Sequence, residues 1–292
     1  MLSTILDLLA CPVCHGQLYP DGDDGGELPG RGLHGLLCDR GHLFDVARQG
    51  YVSLLSGHNP ALRSDTSEMV SARERVLGAR HYGDIDAAVV AAGVGRVFLD
   101  VGAGTGHYLQ RCVSSGAPSA RGVGLDLSKT CARAMARAHP RIGAVVADAW
   151  KRLPIADSCV DTVLSVFAPR NVAEFARVLA PGGVLVVVSP TPRHLAELID
   201  PMGMIGVDPG KPERIGNSFA GTFVRTERTL VEFVISVDRD TAKDLVAMGP
   251  SAHHLTADEI TARAAELEDT MDVTASVTVC SYRVADDPSA LR

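Results

Sequence analysis

The chain of 292 residues is 46% hydrophobic and 22% charged, with a formal net charge of −7. This composition fits an ordinary soluble protein with room for one large core and a smaller unit. No apolar run approaches the roughly 20 residues of a membrane helix, and an early acid without a basic segment argues against a secretory signal, so a cytoplasmic location is expected.

Seven cysteines is an odd number, and three of them fall near the N-terminus. That favours metal binding in a reducing compartment over disulfides. Cys11-Pro-Val-Cys14 places two thiolates where they can face one cation, and Cys38 with His42 completes a C-x2-C…C-x3-H set suited to structural Zn2+. The alternative is a group of reduced core cysteines and a surface histidine. Four ligands leave no open position, and His15 is surplus to the shell. The Gly- and Asp-rich stretch Tyr19–Leu33 reads as a hairpin tip. A zinc-binding module over 1–58 would then join a domain over 59–292 through Asn59-Pro60. Helices at Glu68–Ala79 and Ile85–Ala92 lead into that domain.

Val97, Phe98 and Leu99 read as a buried parallel strand ending in Asp100, followed by Gly102, Gly104 and Gly106. Glycines there permit positive φ and let backbone approach a ligand. Two further strands end in acids, Arg121–Asp126 and Ile142–Asp148, separated by helices at His107–Ser115 and Ser128–Ala138, with Ser128 as N-cap. This is the first half of a doubly wound, Rossmann-like α/β sheet that binds its ligand across the strand carboxyl ends. Asp126 stands where a ribose hydroxyl pair needs an acceptor, and Asp148 where an adenine amino group does. The second half follows as a strand at Val160–Phe167, a capping box at Asn171–Glu174 opening a helix through Leu179, a Pro181-Gly-Gly183 turn and a strand at Val184–Val188. Glycine and proline concentrate at Met202–Gly216, which reads as a flap, and alternating segments at Thr229–Val237 and Val273–Val279 read as an antiparallel hairpin completing the sheet.

Two cofactor classes suit this layout. A dinucleotide places its pyrophosphate at the helix N-terminus behind a G-x-G-x-x-G loop. Here the spacing is G-x-G-x-G and an acid precedes it, which repels phosphate but suits the ammonium of S-adenosylmethionine. The run from Asp100 to Val188, including "EFARVLAPGGVLVVV", resembles the class I S-adenosylmethionine-dependent methyltransferases.

A narrower resemblance covers nearly the whole chain, from Cys11 to about Cys280. "CPVC…C…GHLFDVARQGYVSLL", "SDTSEMVSARERVLGARHY", "VFAPRNVAEFARVLAPGGVLVVVSPTPRHLAELID" and "VAMGPSAHH" resemble the RlmA family of 23S ribosomal RNA (guanine-N1)-methyltransferases, closest to its Gram-positive, TlrB-like tylosin-resistance branch. The long Tyr19–Leu33 stretch departs from the shorter family hairpin. The resemblance implies Zn2+ on Cys11, Cys14, Cys38 and His42, and cofactor contacts at Tyr82, Tyr108, Leu109 and His194; each of those four also suits packing or a surface position. It further implies a 23S rRNA substrate, with reduced macrolide binding as a consequence. Apart from the resemblance, the finger could be structural or mediate formation of a homodimer.

Guanine N1 carries a proton at neutral pH and is hidden in any Watson–Crick pair, so the base must come from a loop or be extruded. Phe167-Ala-Pro-Arg170 follows the fourth strand, where acceptor groups are presented; Arg170 suits a phosphate, O6 or plain solvent. No general base is identifiable. Charge runs against RNA: residues 1–60 hold three basic residues against seven acids. A basic surface would need assembly from Arg63, Arg73, Arg75, Arg80, Arg170 and Arg193. A small-molecule methyltransferase with a structural finger is therefore the alternative. A non-catalytic zinc- and cofactor-binding regulator is a third reading, disfavoured by the intact glycine loop and Asp126.

Overall fold

The computed structural model describes residues 2–21, 33–55, 65–208 and 210–285. Most of the expected hairpin tip, the Asn59-Pro60 joint and Arg63 lie outside the described residues. A 3-10 turn at Leu2–Leu8 leads into three short strands, β1 (Leu18–Pro20), β2 (Gly35–Cys38) and β3 (Leu43–Asp45), which pair as a small antiparallel sheet in the order β1-β2-β3.

Next in the chain come β4 (Tyr51–Ser53), α1 (Ser67–Gly78), α2 (Gly83–Ala92), β5 (Val97–Val101), α3 (His107–Ser115), β6 (Arg121–Asp126), α4 (Lys129–Ala138), β7 (Ile142–Val146) and β8 (Val160–Val166). They are followed by α5 (Val172–Val178), β9 (Leu179–Pro190), α6 (Ala196–Met202), α7 (Lys211–Phe219), β10 (Phe223–Asp238), α8 (Arg239–Ala247), α9 (Ala257–Ala265) and β11 (Thr270–Val284). The large sheet has eight strands in the order β10-β11-β9-β8-β5-β6-β7-β4. Pairing is parallel from β4 through β9, and β11 runs antiparallel to both β9 and β10. This mixed, doubly wound sheet is the class I methyltransferase arrangement the motifs implied. The strand order reverses between β5 and β8, which opens a crevice at their carboxyl ends.

Strand periodicity explains the two layers of core. Phe98, Leu164, Val184, Val186 and Val188 face one cluster, with Ile85 and Val89 of α2 and Leu109 of α3. Leu99, Val101, Val163, Leu185 and Val187 face the other, with Phe175 of α5 and with Ile5, Leu18, Leu36, Cys11 and Cys38 from the N-terminal stretch. The described part of the N-terminal stretch thus shares core with the large sheet. Its β4 is the edge strand beside β7, and the Ile5 side chain occupies space that a Cβ on Gly143 would enter at 2.4 Å.

Several local expectations hold: Ser128 Oγ accepts from the Cys131 N–H at 3.3 Å as N-cap of α4, and β10 pairs with β11 as expected, over a longer span and with α8 and α9 between them. The capping box at Asn171 does not form. Asn171 Nδ2 instead donates to the carbonyls of Ala149 (3.1 Å) and Lys151 (3.0 Å), and Glu174 accepts from the Leu153 N–H at 2.7 Å. These polar groups are spent on bracing the loop after β7, a tertiary use that outcompetes the local one. Pro181-Gly-Gly183 lies within β9, where the register shifts between Val160 and Thr162 of the neighbouring β8. Among the described residues no helix is long and apolar enough to cross a membrane.

Candidate cofactor cavity and cysteine–histidine cluster

A cavity of about 1190 Å³ opens at the carboxyl ends of β5 to β8. Asp100, the last polar residue of β5, lies on its wall. It is 1% exposed, and neither carboxylate oxygen has a partner among the described residues. Burial, and secondarily the charge of Asp126, push its carboxyl up to about 8. A buried, unpaired carboxylate facing a cavity is suited to a cationic group of a ligand.

The linkage has a definite sign. Asp100 has a native pKa above its unfolded value, so its contribution is fully present below the unfolded pKa and is lost as pH rises toward 8. Asp100→Asn is therefore expected to flatten the fall in stability of the ligand-free protein between about pH 5 and 8. Thermal melts across that range test it, and identical slopes for the two proteins would contradict the assignment.

The glycines of the loop have different tasks. All three have positive φ: Gly102 +77°, Gly104 +54° and Gly106 +79°. A Cβ on Gly102 would come within 2.7 Å of Ala168, and Gly104 donates its N–H to Asp126 Oδ2 at 2.8 Å. Gly106 does not line the cavity; it opens α3, and a Cβ there would meet the Met135 side chain at 2.7 Å. Gly106→Ala combines left-handed strain with overpacking and is expected to destabilise the fold by about 2–4 kcal/mol, read from the urea midpoint.

Asp126 is held by two backbone N–H groups, that of Gly104 on Oδ2 and that of Ser128 on Oδ1, both at 2.8 Å. Burial raises its pKa, and those two N–H bonds oppose the rise. Each oxygen keeps a lone pair for a further donor. Asp148 also lines the cavity and accepts the Trp150 N–H at 2.9 Å. The loop beyond it is braced by Asn171, by Glu174 and by Arg177, which donates to the carbonyls of Leu153 and Ile155.

Tyr82, Tyr108 and His194 line the same cavity as Asp100. The Ser276 N–H donates to His194 Nδ1 at 3.1 Å, so the ring proton sits on Nε2, 3.4 Å from the Tyr82 hydroxyl. Burial lowers His194 to about 4, which keeps it neutral at physiological pH. The Tyr108 hydroxyl is buried and has no partner among the described residues. Leu109 is not brought to this group. It is fully buried beneath the sheet, and its Cδ1 lies 2.6 Å from where a Cβ on Gly122 would stand.

Sequence reasoning did not single out Asp86, which is 3% exposed and accepts from His107 Nε2 at 2.8 Å. The available signal was an acid within the otherwise apolar run of α2. Three arginines expected on a basic surface are instead ion-paired: Arg73 with Asp65, Arg75 with Asp244 and Arg193 with Glu232. Arg73 also donates to the Met248 carbonyl at 2.9 Å, tying α1 to the end of α8 beside the cavity. Arg80 is exposed, and Arg170 lies on the cavity wall.

The four N-terminal ligand candidates converge. One ligand atom from each of Cys11, Cys14, Cys38 and His42 lies within 4.8 Å of the others. Cys14 Sγ is 3.5 Å from Cys38 Sγ, and His42 Nδ1 is 3.2 Å from Cys38 Sγ and 3.6 Å from Cys11 Sγ. A tetrahedral thiolate site with a metal–sulfur bond of about 2.3 Å has edges of about 3.8 Å, so the donors fit such a shell. Gly41, with φ +80°, makes the turn that returns His42 to Cys38. Burial opposes ionisation of Cys38, but the N–H groups of His42 and Arg40, with Cys14 and His42 side chains, bring its thiol to about 6. His15 stands outside the set.

A family model described as "Methyltransferase domain" matches residues 98–183. The chain is 43% identical to a Micromonospora griseorubida protein named for 23S rRNA (guanine-N(1)-)-methylation, over 96% of this chain and 98% of the relative. It is 39% identical to the 23S rRNA (guanine(748)-N(1))-methyltransferase of Streptomyces fradiae, over 95% and 97% of the two chains. A Bacillus subtilis protein, YxjB, also named for this reaction, is 32% identical over 65% of this chain and 67% of its own.

Proposed function

We propose, from the premise that this chain belongs to the family of 23S ribosomal RNA (guanine-N1)-methyltransferases, that it methylates N1 of a guanine in a hairpin loop of 23S rRNA using S-adenosylmethionine. The observation that carries the reading is the end-to-end match to that family, which spans both the cysteine–histidine cluster and the cavity. Position 748, named for the Streptomyces relative, is the first guanine to test. Reduced binding of tylosin-type macrolides would follow from a methyl group there.

The residues on the cavity wall fit this cofactor. Asp100 would hold the methionine ammonium, Asp126 the ribose hydroxyls and Asp148 the adenine amino group, with Tyr82, Tyr108 and His194 around the methionine end. The bound cofactor supplies an electrophilic sulfonium methyl, so the protein's task is alignment of the acceptor. His194 bears its proton on Nε2 and therefore donates toward Tyr82 rather than accepting there. It is a positioning group in this state, not a base for the N1 proton. The cluster would hold Zn2+ in a closed four-ligand shell, which is a structural role.

Primer extension across 23S rRNA, from cells with and without the gene and from transcripts treated with purified protein, tests the reading. A new stop at the target guanine is expected, because an N1 methyl blocks pairing. An unchanged pattern would sink it. The net charge of −7 and the ion-paired arginines favour, as a second reading, a small-molecule acceptor with the cluster as scaffold. In that case methyl transfer to RNA would be absent while cofactor binding stayed intact.

A further inference from the structure

The segment after β8 holds two features that core packing does not require. Phe167 still donates its N–H to the Val188 carbonyl at 3.2 Å, yet its φ is +53°, a left-handed backbone that disfavours a bulky residue. Its ring is 42% exposed, lines the cavity and stacks on His194 with centroids 5.8 Å apart and planes at 26°. Three residues on, Arg170 Nη2 donates to Ser189 Oγ at 3.1 Å, while its Nε–H is buried with no partner among the described residues. Ala168 and Pro169, between them, pack against Gly102, so both side chains are held in fixed relation to the glycine loop.

These two side chains stand at the end of β8, across β5 from the Asp126 and Asp148 wall. A strained aromatic left open, beside a buried unpaired N–H donor, is suited to a flat group carrying an acceptor. We propose that Phe167 and Arg170 form the subsite for the target base: the Phe167 ring, backed by His194, stacks on the extruded guanine, and the Arg170 Nε–H donates to its O6. This rests on the guanine-N1 reading above. Stacking supplies the face contact that the base loses on leaving its loop. As N1 gives up its proton to water, negative charge builds on O6, where the guanidinium stabilises it. Adenine, with an amino group at position 6, would oppose donor to donor at Arg170 and is rejected.

The experiment measures binding of a hairpin RNA that carries guanine, 2-aminopurine or an abasic site at the methylated position, by fluorescence anisotropy with the protein saturated by S-adenosylhomocysteine. Phe167→Gly removes the ring and suits the left-handed backbone, so it also guards against misfolding; Phe167→Leu keeps bulk without the π face. Both are expected to weaken guanine-hairpin binding by about 10- to 100-fold and to add almost nothing on the abasic hairpin. Arg170→Met should weaken the guanine hairpin but not the 2-aminopurine hairpin, which lacks O6. Affinity for S-adenosylhomocysteine alone should stay unchanged in Arg170→Met, and the saturating S-adenosylhomocysteine keeps the Phe167 comparisons independent of any change transmitted through His194. Equal losses on guanine and abasic hairpins, or no loss on either, would overturn the subsite while wild-type methylation of that guanine persists. Failure of the wild-type protein to methylate any guanine would instead overturn the RNA reading on which the subsite depends.

Discussion

Asp126→Ala is expected to weaken S-adenosylhomocysteine binding by at least about 100-fold, the yield of two charge-assisted hydrogen bonds at about 1.5–3 kcal/mol each. The substitution removes the acceptor for the ribose hydroxyls and frees the N–H groups of Gly104 and Ser128, each now bonded at 2.8 Å. Gly104 is the middle glycine of a loop whose shape depends on that bond, so loop and ligand are lost together. Asp126→Asn keeps one oxygen acceptor and should fall between the parent and the alanine variant. Isothermal titration gives the affinities, and circular dichroism confirms that the fold survives. Unweakened binding in Asp126→Ala would show that the nucleoside does not lie over β6, and the cofactor placement would have to be redrawn.

Disrupting the cysteine–histidine cluster is expected to have the second large effect. Cys38→Ser is expected to abolish stoichiometric zinc and to lower the unfolding midpoint by about 10 °C, on the basis of about 3–5 kcal/mol lost and roughly 2–4 °C per kcal/mol for a chain of this size. The upper bound is about 10–16 kcal/mol, the binding free energy of isolated fingers whose fold depends wholly on the ion. Here the loss is smaller because β4 still pairs with β7 and Leu9 still bridges to Ile155, which hold the stretch against the large sheet without a metal. Even so, Cys11 and Cys38 are 0% and 2% exposed and share a core with Leu99 and Leu185, so disorder at the cluster reaches the floor of the sheet. Atomic absorption on the purified protein should find one zinc per chain, and near none in the variant. Equal zinc content in the two proteins would remove these four residues from the ligand set.

The elements that were legible from sequence share one property: their signal is local. The strand–glycine–helix run at 97–115 announces itself because a buried parallel strand needs consecutive apolar residues and its turn needs positive φ. The cluster was legible because Cys11 and Cys14 occupy one turn and Cys38 and His42 another, so spacing forms each pair, while the pairing of β1 with β2 brings the two pairs together. Leu109 shows the limit. It follows Tyr108 in α3, but one residue turns a helix by about 100 degrees, so Tyr108 faces the cavity and Leu109 the sheet. Asn171 and Glu174 show another limit, since a valid local capping pattern lost to hydrogen bonds with residues 149–153.

Local patterns in the chain carried the first half of the sheet, the acids at the strand ends, the candidate metal ligands of the cluster and, through its motifs, the family. The tertiary structure alone decided that Asp100 is left without a partner, that Arg73, Arg75 and Arg193 are neutralised, and that Phe167 is strained open beside Arg170. The division has a physical cause. Backbone geometry and ligand spacing are set by neighbours a few residues away, whereas the pairing and desolvation of a charge depend on groups brought from distant parts of the chain by packing of the sheet.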